Sequence, residues 1–226
     1  MTQDEAKTLV GKRAAAMVED GMAVGLGTGT TSVQFIKALG ERVQQGLKIR
    51  CVASSESSAD LGRSLGMDVT TLEDLPQLDL YIDGADEIAP GLALIKGGGA
   101  ALLREKIVAS AAKRFIVVVD ESKIVSQLGK FPLPIEVVKM ARSLVELKLQ
   151  AIGLKPTLRM KKDGSGPLLT DEQNYILDCH DVMITDPEKL AAEIRSIVGV
   201  VEHGIFLGMA EYALVAGEDG VQEYHG

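Results

Sequence analysis

The residues best suited to moving protons lie close together in the chain. Asp83 and Asp86 enclose Gly84 and Ala85, Lys96 precedes Gly97, Gly98 and Gly99, and Glu105 follows on the next segment. If that segment is helical, Gly98, Ala101, Leu102, Val108, Ala109 and Ala112 share the Glu105 face. A lone carboxylate on an apolar stripe loses hydration, which disfavours its ionised form and raises its affinity for a proton. Two aspartates, a lysine and one isolated glutamate therefore make an acid–base set, able to take a proton from one atom and return it to another. The plainer alternative is an Asx-type turn at Asp83 and a solvated glutamate between Arg104 and Lys106.

Strands and glycine turns must position these groups. Leu78–Ile82 reads as a short buried strand that delivers Asp83, and Leu92–Ile95 as one that delivers Lys96. Three glycines before a helix let the backbone approach a ligand, and the helix N-terminus offers unpaired N–H groups. Met22–Leu26 is another short strand, followed by Gly27-Thr28-Gly29-Thr30-Thr31-Ser32 and a helix from Ser32 to Gly40. A strand, a glycine–hydroxyl loop and a helix can wrap an anion, or form no more than a tight turn with a threonine cap. The loop is neither a P-loop, which needs Gly-Lys-Ser/Thr, nor a complete dinucleotide fingerprint, because the third glycine is missing. Arg50–Ser54 is a strand leading to the serine-rich loop Ser54 to Ser58. Arg114–Val119, β-branched and apolar on both faces, leads to Asp120-Glu-Ser-Lys123. Alternation of this kind predicts a parallel sheet covered on both sides, with ligands beyond the carboxyl ends of its strands.

The chain opens with Thr2-Gln-Asp-Glu5, a capping box, and a helix to about Glu19 that Gly21 ends. Lys7 sits in its first turns, either solvated or within reach of a ligand. Phe131-Pro-Leu-Pro134 interrupts the rhythm and reads as a hinge. Beyond it, Ile135–Val138, Met140–Ile152, Lys155–Met160, Tyr175–Cys179, a helix from Asp186 and a strand region over Val198–Phe206 give the order β-α-β-β-α-β, the split ferredoxin-like motif. Tyr212–Ala216 is the last strand. The expected domains are 1–131, completed by 207–226, and 132–206.

Bulk properties narrow the class. The chain has 226 residues, enough for a large domain with a small companion. A formal charge of −8 argues against a general nucleic-acid binder but leaves room for a local anion pocket. Cys51 and Cys179 have no paired spacing and read as buried hydrophobes in a reducing compartment. His180, His203 and His225 share no ligand spacing, so no metal is expected at them. No signal peptide and no membrane span are expected, and the expected location is cytoplasmic.

Gly25-Leu-Gly-Thr-Gly-Thr-Thr31, Asp83-Gly-Ala-Asp-Glu-Ile88, Lys96-Gly-Gly-Gly-Ala-Ala-Leu102 with Arg104-Glu-Lys106, and Gly129-Lys-Phe-Pro-Leu-Pro134 together resemble ribose-5-phosphate isomerase, type A. The resemblance covers essentially the whole chain, with Thr30 where many relatives have serine. It implies interconversion of D-ribose 5-phosphate and D-ribulose 5-phosphate in the pentose phosphate pathway, without metal or cofactor. It also implies a Rossmann-like parallel-sheet domain with a smaller ferredoxin-like α+β domain, assembled as a homodimer or dimer of dimers. Residues carried over are Thr28 to Thr31, Asp83 to Asp86, Lys96 to Gly99 and Lys123, with Glu105 as base; Lys7 is a further phosphate candidate. Two other readings remain. A sugar-phosphate sensor of the same fold would normally place a basic helix-turn-helix ahead of the sheet, and an amino-sugar phosphate deaminase would release ammonia.

Overall fold

A computed structural model describes the whole chain, Met1–Gly226. The first helix starts where the sequence provides a reciprocal cap. Thr2 Oγ1 accepts the Glu5 N–H at 3.3 Å, and the Glu5 carboxylate accepts the Thr2 N–H at 2.7 Å. In chain order the elements are α1 (Gln3–Ala15), β1 (Ala23–Leu26), α2 (Thr30–Gln44), β2 (Arg50–Ala53), α3 (Glu56–Ser64), β3 (Asp68–Thr70) and β4 (Leu80–Asp83). Next come β5 (Glu87–Ala89), β6 (Ala93–Ile95), α4 (Leu102–Ala111), β7 (Phe115–Asp120), β8 (Leu133–Val137), α5 (Arg142–Ala151), β9 (Pro156–Leu158) and β10 (Tyr175–Cys179). The chain closes with α6 (Pro187–Arg195), β11 (Val200–His203), β12 (Ile205–Phe206), β13 (Tyr212–Gly217) and β14 (Gly220–Tyr224).

Contacts divide the chain into two units. One comprises Met1–Ala85, Arg104–Ile124 and Gly208–Gly226; the other comprises Asp86–Leu103 and Val125–Leu207. The first is built on a sheet of order β14-β13-β7-β4-β1-β2-β3. All its neighbours run parallel except the β13–β14 hairpin. Alternation along the strands sorts its two faces. Leu80 and Ile82 of β4, Val24 and Leu26 of β1, and Ile116 and Val118 of β7 join Val10, Ala14, Phe35 and Leu39 of α1 and α2 in one core. The opposite face carries Gly25 and Tyr81 against Val108 of α4. The expected stop of α2 at Gly40 does not occur. A Cβ at Gly40 would lie 2.9 Å from the Leu65 side chain, so this glycine makes room for packing and the helix continues to Gln44.

The second unit holds a four-stranded antiparallel sheet of order β11-β8-β10-β9. With α5 and α6 in sequence this is the ferredoxin-like β-α-β-β-α-β arrangement. Leu133, Ile135, Val145, Leu149, Leu177 and Ile194 fill its core. A three-stranded sheet, β12-β6-β5, belongs to the same unit. The single strand region expected over Val198–Phe206 is two strands. Gly204 divides them, donating to Pro134 O at 2.8 Å and accepting the Lys96 N–H at 2.9 Å, so β11 pairs with β8 and β12 with β6.

Candidate active site

In the first unit the loop leaving β1 is built around the carboxylate that ends β4. A Cβ on Gly27 would lie 2.2 Å from Asp83 Oδ1 and 2.5 Å from Ile82 O, so only glycine lets the two strand ends meet. Asp83 Oδ1 then accepts the Thr28 N–H at 2.9 Å, the Ser32 hydroxyl at 2.8 Å and the Gly84 N–H at 2.8 Å. The Tyr81 hydroxyl donates to Asp83 Oδ2. Asp83 is fully buried. Thr28 Oγ1 continues the network to Ser54 Oγ at 2.8 Å and Ser55 Oγ at 2.9 Å. Gly29, at φ +102°, turns the chain into α2 without a side-chain cap, and Thr30 and Thr31 are the first helical residues. Uncapped N–H groups, the helix dipole and three threonine hydroxyls form a site chemically suited to an anion.

Glu105 lies on the first turn of α4 and is 3% exposed. Of the expected stripe, Ala101, Leu102, Val108 and Ala109 are buried, whereas Ala112 is half-buried and Gly98 lies exposed ahead of the helix. The Glu105 charge reaches Tyr81. Burial, first, and then the Asp83 and Glu105 carboxylates push the phenol well above its usual range, so Tyr81 stays protonated. Lys123 stands in the turn after β7, beside Asp120, whose carboxyl is held below its usual range, against the opposing effect of burial, by hydrogen bonds from Ser122 and Gln3 and, least, by the Lys123 charge. Lys7 pairs with Asp4 of its own helix at 3.9 Å. No hydrogen bond or ion pair joins either lysine to Thr28 or Asp83.

In the second unit Asp86 and the glycine turn hold each other. Asp86 Oδ2 accepts the Gly98 N–H at 2.8 Å, and a Cβ on Gly98 would sit 2.6 Å from Asp86 Oδ1. Gly97 adopts φ +105° with Leu102 and Pro134 crowding it. Lys96 is 2% exposed, and its ammonium lies 5.6 Å from the centre of the Phe206 ring. Arg159 clamps the same turn from behind. Its Nη1 donates to Gly97 O at 2.9 Å and Gly98 O at 3.2 Å, while Nε and Nη2 bind Asp178 at 2.7 and 2.5 Å. Sequence reasoning gave no role to Arg159 or Tyr81. Each sits in a segment whose period signals only a strand or a helix, and their partners come from distant parts of the chain.

The fold is that of a Rossmann-like α/β protein with a ferredoxin-like companion unit. The profile of the family ribose 5-phosphate isomerase A (phosphoriboisomerase A) matches residues 50–220. The ribose-5-phosphate isomerase A 1 of Oceanobacillus iheyensis is 47% identical over 220 residues, covering 97% of both chains. That of Roseiflexus castenholzii is 52% identical over 215 residues, covering 94% of this chain and 92% of the relative. Among solved structures, the Methanocaldococcus jannaschii ribose 5-phosphate isomerase A matches with a TM-score of 0.95 at 38% identity, covering 100% of both chains. A D-ribose-5-phosphate isomerase in complex with phospho-erythronic acid matches with a TM-score of 0.96 at 39% identity, again covering 100% of both. This chain belongs to the ribose 5-phosphate isomerase A family.

Proposed function

We propose that the protein interconverts D-ribose 5-phosphate and D-ribulose 5-phosphate through an enediolate, with Glu105 carrying the proton between the two carbons. The observation that carries this reading is the burial of Glu105 on an otherwise apolar helix face. A base that removes a carbon-bound proton and returns it needs a proton affinity near neutrality, and burial is the usual means by which a carboxylate acquires it.

The remaining groups take roles that their chemistry allows. Lys96 and the Gly97–Gly99 amides are donors for the charge that develops on the carbonyl oxygen. Thr28 to Thr31, at the uncapped start of α2, receive the phosphate. Of the two aspartates, Asp86 is half-buried and Asp83 fully buried, so Asp86 is the one a sugar hydroxyl reaches directly. Asp83 fixes the Thr28 loop. The pathway we assign to this reaction is the pentose phosphate pathway. Phospho-erythronic acid, bound by the structural relative, combines a phosphate with a planar carboxylate, and that carboxylate resembles the enediolate proposed for this chain.

The test mixes chelator-treated protein with ribose 5-phosphate in deuterated water and follows the sugar by proton NMR. Ribulose 5-phosphate is expected, with deuterium at the exchanging carbon. Glu105→Gln is expected to bind the sugar and to lose turnover by about 10³-fold or more. Near-wild-type turnover in Glu105→Gln would remove Glu105 from the mechanism. Binding without any conversion by the wild type would favour the sensor.

A further inference from the structure

Tyr81 has no part in the reading above, yet it stands between the two carboxylates of the first unit. Its ring is fully buried. Phe115 lies against it with ring centres 4.9 Å apart, and Gly25 and Val108 close on it from β1 and α4. A Cβ at Gly25 would come within 2.5 Å of the ring, so the glycine is the space into which the tyrosine fits. Val108 is one helical turn beyond Glu105, which brings Glu105 to the same side of the sheet as the phenol.

At its far end the hydroxyl donates to Asp83 Oδ2, and Ser54, which joins Thr28 at 2.8 Å, adds a weaker polar interaction. The charged groups facing this hydroxyl are Asp83 from its own strand and Glu105 from α4; Ser54, at the end of β2, contributes a neutral hydroxyl. Tyr81 is thus hydrogen-bonded to Asp83, with the Ser54–Thr28 pair beside it.

We infer that Tyr81 is a positioning residue for the reaction: its hydroxyl holds Asp83 as a hydrogen-bonded anion and thereby sets the proton affinity of Glu105. The inference rests on the isomerase reading above. Removing the hydroxyl withdraws a donor from Asp83. The Asp83 charge then faces Glu105 less shielded. A less shielded negative charge disfavours a second one beside it, so the pH at which the base becomes active moves upward.

The experiment is the pH profile of kcat/KM for ribose 5-phosphate, measured with wild type and Tyr81→Phe alongside their melting temperatures. Tyr81→Phe keeps the ring and its contacts. Its acid limb is expected to move up by roughly 0.5–1 pH unit, with kcat at pH 7 falling about tenfold and KM changing less than about threefold. Ser54→Ala spares ring and carboxylates and is expected to move the limb the same way by less. Superimposable profiles, or a uniform loss of activity with a lowered melting temperature and an unmoved limb, would overturn the inference. If wild type itself leaves ribose 5-phosphate unchanged, the isomerase reading fails and this inference falls with it. An active wild type with an unshifted Tyr81→Phe overturns the inference alone.

Discussion

Arg159→Ala removes one group that serves both stability and the glycine turn, and the two effects can be measured apart. The Arg159 and Asp178 side chains are 15% and 16% exposed and meet at two points. Exposed ion pairs contribute about 0–1 kcal/mol, whereas removing one partner of a fully buried pair costs about 3–5 kcal/mol. The partial burial and fork geometry place Arg159→Ala between these limits, at about 2–3 kcal/mol. In a chain of this size that lowers the melting temperature by roughly 5–10 °C. The protein has no tryptophan, so far-UV circular dichroism is the suitable probe of unfolding. A double-mutant cycle with Asp178→Ala is expected to return a coupling of about 2 kcal/mol. The kinetic effect should be asymmetric. Arg159→Ala also releases the Gly97 and Gly98 carbonyls, whereas Asp178→Ala leaves the guanidinium to hold them. The loss in kcat/KM is therefore expected to be about tenfold greater for Arg159→Ala, the scale of a misplaced donor group. A coupling below about 0.5 kcal/mol, or equal kinetics for the two variants, would refute the reasoning.

Gly27→Ala drives a methyl group to 2.2 Å from Asp83 Oδ1, so Asp83 must leave the Thr28 N–H. Overpacking of about 1–3 kcal/mol is expected, seen as a fall of roughly 4–10 °C in melting temperature; an unchanged melt would contradict the contact. Burial pushes the Cys51 and Cys179 thiols up to about 12, from 9.0 when unperturbed. Because the folded values are raised, their contribution to stability is intact below pH 9 and is lost as pH rises from about 9 toward about 12. Neither thiol should react with a disulfide reagent at pH 8 until denaturant is added, and rapid labelling of the native protein would show the burial to be wrong.

The residues most legible in the sequence are those whose roles depend on near neighbours. The Thr2–Glu5 cap, the Gly27–Thr31 loop after an apolar strand, and Glu105 alone on an apolar stripe are all set within a turn or two, and each is found where the pattern puts it. What stayed hidden depends on distant partners. Tyr81 lies inside Leu78-Asp-Leu-Tyr-Ile82, where period alone registers it as strand filling, yet its hydroxyl bonds the carboxylate that ends the strand. Arg159 bonds a carbonyl 62 positions away. The strand β14 escaped because Gly220–Tyr224 is an edge element with polar residues, and pairing with β13 alone defines it.

The buried charges Asp83, Lys96 and Glu105 are 0%, 2% and 3% exposed, and burying such groups opposes folding unless partners offset the lost hydration. Asp83 accepts hydrogen bonds from Thr28, Ser32, Tyr81 and Gly84, and its burial is explained by the loop it organises. Glu105 sits on a helix face that it shares with the buried apolar residues Leu102, Val108 and Ala109. In the proposed reaction this carboxylate is the base. That role allows a stability test independent of turnover. Glu105→Gln replaces the carboxylate by a neutral amide of similar shape, so its melting temperature is expected to equal or exceed that of wild type while activity is lost. A melting temperature lower by more than about 5 °C, equivalent to more than about 1 kcal/mol, would show that Glu105 is retained for the structure and would return the search for the base to Asp86.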